Sequence, residues 1–211
     1  MTALSDYLSD PCGTLSIPYW KAKRIAIPPH MRIVHGRDFS PELLSAYRDE
    51  PYFRLYHDLH GVTAPKLPGF TVKTATVCDT ETIVSVINRS YSDLQIDPAQ
   101  LQGYRETPVY EPELWVLACD SRTGECIGCG IADYDREAEE LILEWIQVLP
   151  EYRRRGVGSL IVCELLHRGR ALGATFATVS GKAENPTKPE LLYRACGFTG
   201  GDVWHVLTKD E

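Results

Sequence analysis

The stretch Val148-Leu149-Pro150-Glu151-Tyr152-Arg153-Arg154-Arg155-Gly156-Val157-Gly158 decides the fold. Before it runs Leu141-Ile142-Leu143-Glu144-Trp145-Ile146-Gln147-Val148, a long and almost continuously apolar segment of the kind that forms a central strand covered on both faces. Pro150 ends that strand. The backbone must then turn into a helix whose first N–H groups have no partner within the helix, and Gly156 and Gly158 keep side chains away from them. Bare amides at the positive end of a helix suit a pyrophosphate, and Arg153, Arg154 and Arg155 add positive field in an otherwise acidic chain. An ordinary strand-to-helix turn with solvated arginines is the plain alternative. No Gly-Lys-Ser/Thr ending makes this a Walker loop, and the strand is not followed directly by Gly-x-Gly-x-x-Gly as in a dinucleotide fold.

Strand, proline, Arg-x-x-Gly-x-Gly and helix in this order resemble the acetyl-coenzyme A signature of the GNAT-superfamily N-acetyltransferases. The elements predicted around the signature agree with that resemblance. From Phe70 the pattern gives a strand over 71–77, and a helix capped by Asp79 or Thr80 with Ile83, Val86, Ile87 and Leu94 on one face. A short helix follows Asp97-Pro98, then strands over 114–119 and 126–133 joined by the turn at 120–124. After the central strand and its helix come a parallel strand over 174–179, a helix opened by the capping box Thr187-x-x-Glu190, and a last strand over 203–207. The implied fold is α/β, with a GNAT-like mixed, mostly antiparallel central sheet flanked by helices. The resemblance covers about residues 70–208.

Residues 1–68 differ in texture, with Pro11, Pro18, Pro28, Pro29, Pro41, Pro51, Pro65 and Pro68 interrupting every long element. They are expected to form an irregular extension packed on a main domain spanning 69–211. Within them, 31–35 suits a strand. The span from Pro41 to His60, with Tyr47, Tyr52, Phe53 and Tyr56, suits one helix or two.

Composition narrows the partners. With 29 acidic and 22 basic residues the net charge is −7, which opposes a nucleic-acid surface. No run approaches the about 18 apolar residues of a membrane span and no secretory leader pattern opens the chain, so a cytoplasmic, membrane-free protein is expected. The seven cysteines read as reduced, buried thiols. Cys126-x-x-Cys129 lacks a second ligand pair, so no metal is expected.

The resemblance implies acetyl transfer from acetyl-coenzyme A to a primary amine of a small molecule or peptide, by direct attack in a ternary complex of a monomer or homodimer. Arg153, Arg154, Arg155, Gly156, Val157 and Gly158 match the pyrophosphate loop. Val148 and Leu149 lie where the family's strand pairs with the pantetheine arm, and Val148 is placed as the oxyanion donor. A protonated amine needs a base, and Glu144 interrupts the apolar strand, on the face that simple alternation shares with Ile146 and Val148. Its structural alternative is a carboxylate paired with an arginine. Tyr193, in Leu-Leu-Tyr-Arg-Ala-Cys-Gly-Phe, matches the tyrosine that protonates the coenzyme's sulfur, the alternative being a ring packed in the core. Asn185 fits the asparagine that contacts the coenzyme arm, one residue further from Tyr193 than the usual spacing. Cys196, beside Gly197 at a helix C-terminus, is poorly placed to be a nucleophile. His205 and Trp204 lie on a strand that borders the acceptor pocket in this family. An acyl-coenzyme A sensor or interaction module without turnover is the competing function.

Overall fold

The computed structural model describes residues 2–91 and 94–209. Three short helices come first, α1 (Leu4–Ser9), α2 (Pro11–Thr14) and α3 (Tyr19–Ala22), followed by strands β1 (Met31–His35) and β2 (Arg48–His57). Then come β3 (Phe70–Thr74), α4 (Thr80–Ser90), α5 (Pro98–Arg105), β4 (Trp115–Asp120), β5 (Cys126–Asp135) and β6 (Glu140–Val148). The chain ends with α6 (Val157–Ala171), β7 (Phe176–Lys182), α7 (Pro189–Ala195) and β8 (Thr199–Thr208). Helices thus flank mostly antiparallel strands, the mixed α/β class expected. Two compact units divide the chain, one formed by Asp58–Ala177 and the other by Met1–His57 with Thr178–Glu211.

In the unit 58–177, β3, β4, β5 and β6 form an antiparallel ladder in that order. Two bulges interrupt it. Ala118 faces Gly128 while Cys119 faces Cys126, which leaves Ile127 as an extra residue on β5. Ala132 faces Leu143 while Ile131 faces Trp145, so Glu144 is the extra residue on β6. Helix α6 buries Val157, Leu160, Ile161, Leu165 and Leu166, each contributing roughly 1.5–3 kcal/mol. Its close approach depends on missing side chains. A Cβ on Gly130 would come within 3.0 Å of Leu165, and one on Gly169 within 2.6 Å of Leu141.

Local chemistry sets the other helix starts. Asp97 and Gln100 form a capping box at α5. At α4 the box is made one turn earlier, by Thr76 and Asp79 across the 3-10 turn Val77–Asp79. The Asp79 carboxylate therefore reaches back to Thr76 and does not cap α4 itself. Helix α4 buries Ile83, Val84, Val86 and Ile87, and ends at Ser90, so Leu94 lies beyond the face predicted for it.

In the other unit β8 pairs with β1 on one edge and β2 on the other, both antiparallel. The helix expected over 41–60 is a correction. Only a 3-10 turn, Pro41–Ser45, precedes a ten-residue strand. Aromatic residues fit a pleated strand as readily as a helix, and pairing of Tyr52 with Trp204 and Phe53 with Val203 decides between them. Pro51, lacking an N–H, remains in the strand while its carbonyl accepts from the Ala183 amide at 2.8 Å. Arg54 is 1% exposed and donates to the Tyr7 hydroxyl at 2.8 Å, the Ser180 hydroxyl at 3.2 Å and the Pro11 carbonyl at 3.4 Å. It ties the first two helices to the strands. Of the cysteines only Cys12, Cys119 and Cys129 are buried and Cys78 is exposed, so the expectation of uniformly buried thiols does not hold.

Candidate active site

At the end of β6 the 3-10 turn Pro150–Tyr152 carries the chain into the loop 153–156. Arg154 takes a left-handed φ of 63° and Gly156 one of 84°. The first is a strained backbone for an arginine, costing about 1 kcal/mol, and the second is free for glycine. A Cβ on Gly156 would also press to 3.4 Å from both Leu67 methyls. Helix α6 starts immediately behind, and no side chain caps it. Its first intrahelical bond runs from Leu160 N–H to the Gly156 carbonyl at 3.0 Å. The amides of Val157, Gly158 and Ser159 precede that bond.

The three arginines divide their roles. Arg153 donates from Nε to the Val148 carbonyl at 3.1 Å and from Nη2 to the Ser90 carbonyl at 2.9 Å, pinning the loop to the end of β6 and the last turn of α4. Arg155 lies 5.0 Å over the Tyr152 ring. Arg154 and Arg155 are exposed and carry the outward positive charge. Leu149 gives its N–H to the Ile127 carbonyl at 2.9 Å. Amides alternate in direction along a strand, so the N–H of Val148 is aimed away from β5.

Glu144 is half-buried at the β6 bulge. The bulge breaks the alternation used to place it. Beyond it, Ile146 and Val148 pair with Gly130 and Gly128, whose missing Cβ atoms would meet Ile161 of α6. Trp145 and Gln147 therefore take the opposite face. There Gln147 donates to the Tyr91 hydroxyl at 2.8 Å, and the rings of Tyr91 and Tyr104 each stand nearly perpendicular to Trp145 with centroids 6.4 Å away. All three rings are half-buried. This aromatic cluster around Trp145, the residue after Glu144 in the chain, escaped the sequence reading. Its one signal was the polar Gln147 in an apolar strand.

The remaining candidates belong to the unit of 1–57 and 178–211. Tyr193 is 8% exposed on α7, with its ring 6.2 Å from Phe53 and 5.8 Å from Phe198. Asn185 accepts from the Thr187 amide at 2.9 Å and hydroxyl at 2.7 Å. That turn replaces the predicted capping box: α7 begins at Pro189 behind Lys188 at φ 48°, and Glu190 pairs with Arg194 at 2.8 Å. His205 meets Asp49 at 2.7 Å and stacks on Phe39 at 3.7 Å, while the Trp204 indole donates to the Cys12 carbonyl at 2.7 Å. Both are bound into the fold. A cavity of about 430 Å³ in this unit is lined by Thr14, Arg32, His35, Arg37 and Trp204. Arg37 there is spent on His35 at 3.0 Å and the Gly13 carbonyl at 2.6 Å. Among the described residues no group of three or more His, Cys, Asp or Glu side chains converges as a metal set, and no helix is long and apolar enough to cross a membrane.

Comparison with known proteins bears on this loop directly. Residues 111–200 match the model of an acetyltransferase (GNAT) domain. The uncharacterized N-acetyltransferase CgeE of Bacillus subtilis (strain 168) is 28% identical over 98 residues, 45% of this chain and 37% of the relative. A GCN5-related N-acetyltransferase from Sphaerobacter thermophilus superposes with a TM-score of 0.71 at 17% identity, covering 90% of this chain and 63% of that one. The ribosomal-protein-S18-alanine N-acetyltransferase of Escherichia coli gives 0.54 at 16% identity, covering 66% and 93%. The chain thus spans less than two thirds of the first two relatives. The signature loop, its helix and the strand before it all lie inside residues 111–200, the segment that matches the acetyltransferase (GNAT) domain, and the superposed structures share its fold.

Proposed function

We propose that the chain is an N-acetyltransferase that moves the acetyl group of acetyl-coenzyme A to a primary amine by direct attack in a ternary complex. The observation that carries this reading is the start of α6, where uncapped amides stand behind Gly156 at φ 84° with exposed arginines before them. When bound, acetyl-coenzyme A supplies the acetyl group as an activated thioester. The amides of Val157, Gly158 and Ser159 hold its pyrophosphate, Arg154 and Arg155 add positive field, and Arg153 fixes the loop. The resemblance assigns Asn185 and the backbone of Val148 to the coenzyme arm, while Leu149, fully buried with its N–H on the Ile127 carbonyl and its own carbonyl accepting from the Tyr152 amide, supports the strand end. The Val148 N–H, aimed away from β5, donates to the carbonyl oxygen as negative charge develops there. Glu144 takes the proton of the amine, directly or through water, and the Tyr193 hydroxyl gives one to the departing sulfur. The half-buried rings of Trp145, Tyr91 and Tyr104, with Trp145 next to Glu144 in the chain, support a cationic acceptor, whether small molecule or peptide amine. The composition suits a cytosolic setting.

The test is thiol release from acetyl-coenzyme A across a panel of amines, with coenzyme A binding measured separately by calorimetry. Turnover with at least one amine is expected, and Glu144→Gln should lower kcat about 10–100-fold with the coenzyme Kd unchanged. Binding without release for any amine would replace the enzyme with a coenzyme sensor. Absence of binding would remove both.

A further inference from the structure

A pair of thiols that the acetyl-transfer reading does not use sits where the β4–β5 hairpin opens into its turn. Cys119 on β4 and Cys126 at the start of β5 face each other in register, with their sulfurs 2.7 Å apart. The bulge at Ile127 creates this pairing, since without it Ile127 would stand opposite Cys119. Directly opposed strand residues have Cα atoms about 4.5–5.5 Å apart, inside the range a disulfide spans. The connecting turn is held by Asp120, which accepts from the amides of Arg122 at 2.8 Å and Thr123 at 3.2 Å. Cys129, the other half of the Cys-x-x-Cys spacing, faces Leu117 instead and is fully buried.

The two thiols are unequal. Cys119 is buried, and burial first, then its hydrogen bond to Cys126, pushes its thiol up to about 12. Cys126 is half-buried, so it is the sulfur that an incoming reagent meets. The hairpin end they would join also touches the loop, because the Tyr152 hydroxyl donates to Glu125 at 3.4 Å and Leu149 to Ile127.

We propose that Cys119 and Cys126 form a reversible disulfide, a modification site oxidised by a low-molecular-weight disulfide. The Cys126 thiolate attacks one sulfur of that disulfide, forming a mixed disulfide and expelling one thiolate. Cys119 then gives up its proton, attacks the Cys126 sulfur and expels the second thiolate. The protein loses two hydrogens as the small disulfide becomes two thiols, and an excess of dithiol reverses the sequence.

The experiment oxidises the full chain with oxidised glutathione, alkylates the remaining thiols and maps the product. The expected result is loss of two thiols to a bond within the chain, beside glutathionylation of the exposed Cys78, with all of them restored by dithiothreitol. Trypsin cleaves after Arg105, Arg122 and Arg136, so the bond should join peptides 106–122 and 123–136. Fragmentation should place it at Cys126, Cys129→Ala should retain it and Cys126→Ser should abolish it. A joint to Cys129, a linkage surviving in Cys126→Ser, or no linkage in wild type once Cys78 is fully glutathionylated would each overturn the proposal. Mapping the wild-type chain decides the matter even if a variant fails to fold.

Discussion

The Arg54 cluster of one unit and the start of α6 in the other use their polar groups differently. In the unit of 1–57 and 178–211 they are spent on one another: Arg54 on Tyr7, Ser180 and Pro11, His205 on Asp49, and His35 on Asp202 at 2.9 Å. In the unit 58–177 the helix starts near α4 and α5 are closed by side chains, but the start of α6 is left open. Leaving backbone donors unpaired costs stability unless water or a ligand meets them. An uncapped start is not peculiar to α6, since α1, α3 and α7 also lack a side-chain cap; what sets α6 apart is Gly156 at φ 84° with the exposed Arg154 and Arg155 before it.

Two substitutions probe that contrast from opposite sides. Arg54→Met keeps much of the volume but removes the donors to Tyr7, Ser180 and Pro11, and should cost about 3 kcal/mol in chemical denaturation. The folded fraction should bind coenzyme A normally. Gly156→Val should do the reverse. A branched side chain at φ 84° and 3.4 Å from Leu67 must distort the loop, so coenzyme affinity should fall about 100-fold in calorimetry. Stability should move by roughly 1–2 kcal/mol. If Gly156→Val binds normally, the open helix start is not the coenzyme cradle. A large binding loss in folded Arg54→Met would show that the contrast between the two regions is false.

How far the sequence could be read follows the range of the forces involved. From residue 70 onward the pattern is set by local periodicity, capping and breakers, and the turn from strand to helix over 149–158 was legible because adjacent residues dictate its backbone geometry. The strand at 48–57 was not legible, because its partner β8 lies about 150 residues away and only that pairing turns an aromatic-rich segment from helix to strand. Glu144 was found as a polar interruption, yet its neighbours were misjudged. A bulge shifts the register by one residue, and nothing local announces it. Tyr91, Tyr104 and Trp145 come from three separate elements, each ordinary alone. Similarly, the spacing of Cys126 and Cys129 drew attention to the wrong partner, since sheet register brings Cys119 to Cys126 from across the hairpin.

The smallest expected effect tests whether a closed helix start is purely structural. Asp79 accepts from the Thr76 amide at 2.9 Å and from Lys73 at 2.9 Å, and these bonds, the backbone one first, lower its carboxyl from 3.8 to about 2. A carboxylate whose pKa falls on folding adds stability above its unfolded pKa and loses it as pH drops through the folded one. The contribution of Asp79 should thus be complete above about pH 5 and fade between about pH 4 and 2. Asp79→Ala should cost about 1 kcal/mol at neutral pH, as lost caps do, and this deficit should shrink across that acid window. Coenzyme affinity at neutral pH should stay within about twofold of wild type, because the capped turn at 76–79 offers no donors to a ligand. A deficit that persists unchanged to pH 2 would mean that Asp79 acts by packing and not by its charge, and a loss of affinity would place the capped turn in the binding region with α6.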